Sequence, residues 1–136
     1  MSTKVVSVAP TDEVRVAIAR MLEESVGAVA VLEEHRLVGI FTERDVLRLA
    51  GEGREFHEVH VGDVMTRRLY TAEPDNDLPS IAALMQEKRI RHVPVVQGEN
   101  VLGILGIREV LRNLLERVWS SQDAHARETA RELLRR

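Results

Sequence analysis

Residues 5–48 read "VVSVAPTDEVRVAIARMLEESVGAVAVLEEHRLVGIFTERDVLR", and residues 69–112 read "LYTAEPDNDLPSIAALMQEKRIRHVPVVQGENVLGILGIREVLR". The two align without a gap at an offset of 64 residues, taking Pro10 to Pro74 and Met21 to Met85. Val29 and Val31 fall on Val93 and Val95, and Gly39 and Ile40 on Gly103 and Ile104. Arg44, Val46, Leu47 and Arg48 fall on Arg108, Val110, Leu111 and Arg112. Self-similarity at a fixed period constrains a fold more than any local propensity, because each copy must solve the same burial problem. The chain is an internal duplication.

Each copy predicts the same elements. A short strand ("KVVSV", "RLYTA") precedes a turn at Pro10 or Pro74. A helix follows whose apolar positions Val14, Ala17, Ile18, Met21 and Leu22 recur at helical spacing, as do Leu78, Ile81, Ala82 and Met85. Thr11 or Asp12, and Asn76 or Asp77, are the expected N-caps, with Pro79 tolerable in a first turn. Valine-rich runs separated by "EEHR" and "QGEN" predict a hairpin in each copy, and a second helix closes it. One β-α-β-β-α unit buries little alone. The expected fold is therefore α/β, with two pseudo-symmetric repeats packed sheet-to-sheet around a shared core, plus a C-terminal helical extension. The expected divisions are repeat 1 at 1–50, a charged, solvated linker at 51–68, repeat 2 at 69–118 and a helical tail at 119–136. Ser120-Ser121 is the expected break in that last helix, and Trp119 a packing anchor.

Composition narrows the function. The 136 residues carry a net charge of −3 with acids and bases interspersed, which argues against a nucleic-acid binder with its basic face. No apolar run approaches the roughly 20 residues that span a bilayer, and the N-terminus lacks a signal-peptide core, so no membrane association is expected. The absence of cysteine removes disulfides, thiolate metal sites and a Cys nucleophile, and points to a reducing cytoplasm. His57-x-x-His60, with Glu55 and Glu58, is weak as a metal site, since in an extended linker the spacing does not bring both imidazoles to one side. His35 and His125 lie in polar surroundings. No triad, Walker loop or Rossmann fingerprint is present. No metal, required cofactor or catalytic residue is expected, and the chain reads as a sensor rather than an enzyme.

The chemistry concentrates in "GIFTERDV", residues 39–46. Thr42-x-x-Asp45 reads as a capping box, although Asp is short for a role that Glu or Gln usually fills. It also reads as a ligand site. A helix N-terminus directly after a strand offers free N–H groups to an anion, and a carboxylate one turn on accepts two hydrogen bonds from a vicinal diol. Phosphate donors beside a diol acceptor point to a nucleotide.

The duplication, the Gly-x-x-Thr-x-x-Asp ending at Asp45, "HVPVV" at 92–96 and "DVMT" at 63–66 together resemble the CBS domain, of which two in tandem form a Bateman module. The resemblance covers about residues 3 to 118. It implies a regulatory module that binds adenosine-containing ligands (AMP, ADP, ATP, sometimes S-adenosylmethionine or a dinucleotide) between the repeats, and pairs into a homodimer. Carried over residue by residue, it puts the ribose on Asp45 with Thr42 beside it and the base against Ile40. Leu69, Tyr70 and Thr71 flank the adenine, and Ile90 to Pro94 closes over the ligand, with Arg91, His92 and Arg44 toward the phosphates. The pseudo-symmetric cleft departs from the pattern, with Gly106 in place of the hydroxyl residue and Glu109 in place of the Asp. Val5, Val6, Ser7, Ala28 and Ile104 would wall this weaker second site. A separate protein partner is the expected target of regulation. The alternatives are a structural dimerisation module with empty clefts, or an unrecognised adenine-ligand enzyme.

Overall fold

The computed structural model describes residues 5–119 and 131–134. In repeat 1, β1 (Ser7–Val8), α1 (Val14–Glu24), β2 (Ala28–Glu33), β3 (Arg36–Thr42) and α2 (Glu43–Gly51) follow in order. A short helix α3 (Val61–Val64) comes next, then α4 (Leu78–Lys88), β4 (His92–Gln97), β5 (Asn100–Gly106) and α5 (Ile107–Trp119). β2 and β3 pair antiparallel with β1 parallel along β2, while β4 and β5 form a second antiparallel pair. The fold is α/β with two repeats, and a C-terminal helix is present, as the duplication predicts.

The repetition extends into details that only a backbone shows. The register slips between Val31 and Leu32 in one hairpin and between Val95 and Val96 in the other, the same place in both copies. Both first helices end on a left-handed residue, Ser25 at φ 53° and Arg89 at φ 55°. A side chain reaching back three residues precedes each helix: Ala9 N–H donates to Asp12 Oδ2 at 2.8 Å and Glu73 N–H to Asn76 Oδ1 at 2.7 Å.

The linker departs from the sequence reading. Val59, Val61, Val64 and Met65 are buried with Val14, Met21, Val31 and Phe41, so residues 59–65 complete the core of repeat 1 rather than lying in solvent. This also corrects the cap of α1, whose N-cap is Glu13 without a side-chain bond. Its first N–H groups are satisfied by the linker backbone, from Val14 to the Val59 carbonyl at 2.8 Å and from Arg15 to the Phe56 carbonyl at 3.1 Å. α4 has no such neighbour and uses Asp77, which accepts from Ser80 N–H at 2.8 Å. The Ser80 hydroxyl first, and then this N–H, hold the Asp77 carboxyl below its ordinary range.

Repeat 2 has its own cluster of Ala72, Ile81, Met85, Val93, Val95, Leu105 and Val110, so the shared core resolves into one cluster per repeat. β5 lies against β2 and β3, where the sheets face each other. "RLYTA" forms no strand; Ala72 alone bridges to Val95. Trp119 is 42 % exposed and is not a buried anchor; Arg131 stacks 5.1 Å from its ring. The expected break at Ser120-Ser121, and His125, lie outside the described residues.

Candidate functional site

α2 begins with no residue to spare after β3. Thr42 is the N-cap, in extended conformation, and the capping box forms. Thr42 N–H donates to Asp45 Oδ2 at 2.9 Å and its hydroxyl at 3.3 Å. The short aspartate thus suffices where the sequence reading expected a longer side chain, because Thr42 brings its own N–H to the carboxylate. Asp45 is 6 % exposed and the one charged side chain in the buried set of described residues. The Thr66 hydroxyl reaches its two oxygens at 3.3 and 3.4 Å, and Arg48 Nη2 its Oδ1 at 3.4 Å. Only the backbone bond is of ordinary length; the others lie at the weak end of the range.

Thr66 is brought there by a backbone bridge across the end of repeat 1. Ile40 N–H donates to the Thr66 carbonyl at 3.0 Å, and Thr66 N–H to the Ile40 carbonyl at 2.9 Å. The approach requires Gly39, where a Cβ would meet Met65 Sδ at 2.5 Å and the Thr66 carbonyl at 3.1 Å. Arg48 adds a second tie, to the Val64 carbonyl at 2.9 Å. Asp45 therefore joins α2, β3 and the lead-in to repeat 2.

The remaining expected residues are placed unequally. Ile40 is buried on β3, and Arg44 is exposed in the first turn of α2. Leu69 and Tyr70 are half-buried and Thr71 exposed; Lys88 Nζ sits 5.2 Å above the Tyr70 ring. Ile90 is half-buried and packs on the repeat 2 cluster, and Pro94 is fully buried. Of the residues expected at the second cleft, Val6 belongs to the repeat 1 core, Val5, Ser7 and Ile104 are half-buried, and Ala28 is buried opposite Thr42. Glu109 is half-buried in the first turn of α5.

His92 opens β4. It pairs with Gly106 across the β4–β5 ladder, and a Cβ on Gly106 would lie 3.7 Å from its Cδ2. The imidazole thus borders the space beside Gly106, where the matching residue of repeat 1 is Thr42. At the matching pair of repeat 1 the sizes are reversed, with Ala28 opposite Thr42. Burial holds the His92 imidazole below its ordinary pKa and Arg91 adds to this, while Glu43 and Glu109 pull the other way. Arg91 is exposed.

Depressions of about 230 and 170 Å³ open at the hairpin tips, lined by Glu33, Glu34, Arg36 and Leu37 in one and by Arg36, Leu37, Val96 and Glu99 in the other. Neither includes Asp45. Thr66, Arg48, Glu43 and Gly27 border the site without having been singled out in the sequence; the "DVMT" motif was the signal for Thr66. Among the described residues no group of three or more His, Cys, Asp or Glu could hold a metal, and no helix is long and apolar enough to cross a membrane.

The CBS domain family model matches residues 1–52 and again 61–116. The chain belongs to the CBS domain family. Among relatives of this CBS pair, YhcV of Bacillus subtilis is 32 % identical over 114 residues, covering 83 % of this chain and 81 % of YhcV. The mitochondrial CBSX3 of Arabidopsis thaliana is 37 % identical over 107 residues, 74 % of this chain, which spans 52 % of that protein. A putative signal-transduction protein with CBS domains from Burkholderia ambifaria superposes with TM-score 0.80 at 29 % identity, over 90 % of this chain and 88 % of that one. The CBS domain pair of protein MJ0100, solved with 5′-methylthioadenosine and S-adenosyl-L-methionine, superposes at TM-score 0.75 over 83 % of this chain and 93 % of that one; at 24 % identity the likeness is one of fold.

Proposed function

We propose that this CBS pair is a non-catalytic regulatory module that binds an adenosine-containing nucleotide of the AMP, ADP or ATP type between its repeats and thereby alters its contact with a partner protein. The observation that carries the reading is Asp45, a buried carboxylate at a helix N-terminus whose side-chain partners sit at 3.3–3.4 Å. A ribose diol offers two shorter hydrogen bonds to an ionised carboxylate, and displaces Thr66 from it. Thr66 leads into repeat 2, so the exchange links the ligand to the junction between the repeats. The fold accommodates adenosine compounds in MJ0100. Calorimetry with AMP, ADP, ATP, NAD, S-adenosylmethionine and adenosine, alongside thermal melts, tests the reading, because a ligand of the folded state raises Tm by mass action. No heat and no Tm rise with any of them refutes it; turnover of ATP refutes the non-catalytic part.

A second reading has its own support. Leu47 and Leu111, equivalent by the duplication, are 74 % and 51 % exposed, and Leu22 is 76 % exposed. With the capping box complete, a module that only dimerises through these leucines also satisfies the geometry. Ligand binding in the calorimeter separates the two.

A further inference from the structure

Glu43 and His92 meet over one glycine. Gly27 ends the turn before β2, and its carbonyl accepts the Glu43 N–H at 3.0 Å. A Cβ on Gly27 would collide with Glu43 Oε1 and lie 3.1 Å from His92 Nε2. The carboxylate comes from the first turn of α2, two residues before Asp45, and the imidazole from β4 of the other repeat. The bare glycine lets both side chains close over the backbone at the seam between repeats. At the matching position repeat 2 carries Arg91, whose carbonyl accepts the Ile107 N–H at 2.8 Å, so the backbone bond repeats while the bare backbone does not.

The consequence is electrostatic. In the nucleotide reading proposed above, a ligand with its ribose on Asp45 and its 5′ end toward Arg91 and His92 meets the Glu43 carboxylate there. We propose that Glu43 is a specificity-determining residue of this cleft, selecting adenosine compounds of low negative charge at the 5′ end over polyphosphates. The proposal rests on the nucleotide reading of the Asp45 cleft and names its charge preference. Arg91 attracts a phosphate and the Glu43 carboxylate repels it. Glu43 and Glu109 also favour the His92 imidazolium, so the charge preference is read at about pH 8, where that imidazole is neutral. Uncharged adenosine feels none of this balance. Glu43 is exposed, so solvent screens its effect to the scale of a surface charge pair. Each added phosphate charge nonetheless approaches the same carboxylate, so the penalty grows from AMP to ATP.

Glu43→Gln keeps the shape of the side chain and removes the charge. Titrating adenosine, AMP and ATP into the parent and Glu43→Gln in metal-free, low-salt buffer at that pH reads the effect directly. The variant is expected to bind AMP about fivefold tighter and ATP tighter still, with adenosine unchanged. Added salt should erase most of the gain. Adenosine binding with the same AMP-to-adenosine ratio in both proteins overturns the role of Glu43 and leaves the Asp45 cleft standing. Failure of all three compounds to bind either protein overturns the cleft, and the role of Glu43 with it. A purely structural role would shift Tm and all three affinities together, which also counts against selection by charge.

Discussion

Asp45 serves the fold whatever else it serves. Removing its carboxylate leaves Thr42 N–H without its acceptor and frees Thr66 and Arg48. Asp45→Ala should therefore lower stability by about 1–2 kcal/mol, the scale of a lost helix cap. Urea denaturation checks this, and an unchanged midpoint would mean that the box contributes nothing. Thr42 and Asp45 were legible as a pair because they lie one turn apart in a recurrent motif. Thr66 was not, because 21 residues separate it from Asp45 and only the bridge to Ile40 brings it back. His92 gives a second prediction at this scale. Its imidazole is held below the ordinary value of 6.5, so the unfolded chain takes up the proton first. Stability is full above about pH 6.5 and falls as pH drops through that value toward the lower folded-state pKa. A bound phosphate favours the imidazolium, so AMP affinity should rise over the same range, below about pH 6.5. The second proton of the phosphate, with a pKa of about 6, narrows that window. His92→Gln should flatten both profiles; unchanged profiles would exclude the histidine.

Among the elements, the hairpins and the four long helices follow from period and turn chemistry, and the duplication supplies two independent readings of each. The failures share a cause. Residues 59–65 look like a linker because their apolar side chains follow no period, yet they fill a core and lend their carbonyls to α1. Leu69 to Thr71 look like a strand because β-formers cluster there, but only Ala72 finds a partner in the sheet. Tertiary supply and demand for hydrogen bonds decided both cases, and a linear pattern does not carry that information. Gly39→Ala tests the packing of this segment. Its Cβ would press on Met65 and on the Thr66 backbone, so the loss should be about 1–3 kcal/mol, the cost of overpacking. Equal stability of Gly39→Ala and the parent in denaturant would show that the segment yields freely.

At the scale of the whole molecule, two repeats with separate cores meet along β2, β3 and β5, and leave Leu47 and Leu111 in water. Closed two-fold pairing is the commonest way to cover such faces. Light scattering of the parent should give twice the 15.4 kDa of the chain, and the double variant Leu47→Glu, Leu111→Glu should return to 15.4 kDa. A parent that is already monomeric at micromolar concentration would contradict this. The two proposed clefts differ in their residues. Only the Asp45 cleft combines a hydroxyl with a short carboxylate, while Gly106 and Glu109 occupy the equivalent places in the other. Loss of a hydroxyl and of charge-assisted bonds amounts to roughly 3 kcal/mol, about a hundredfold in affinity. Calorimetric titration of AMP into the parent, Asp45→Ala and Glu109→Ala, each first shown to be folded by circular dichroism, tests the central claim most directly. One tight site per chain, abolished in Asp45→Ala and retained in Glu109→Ala, is the predicted result; a tight site that survives Asp45→Ala, or that follows Glu109, would contradict it.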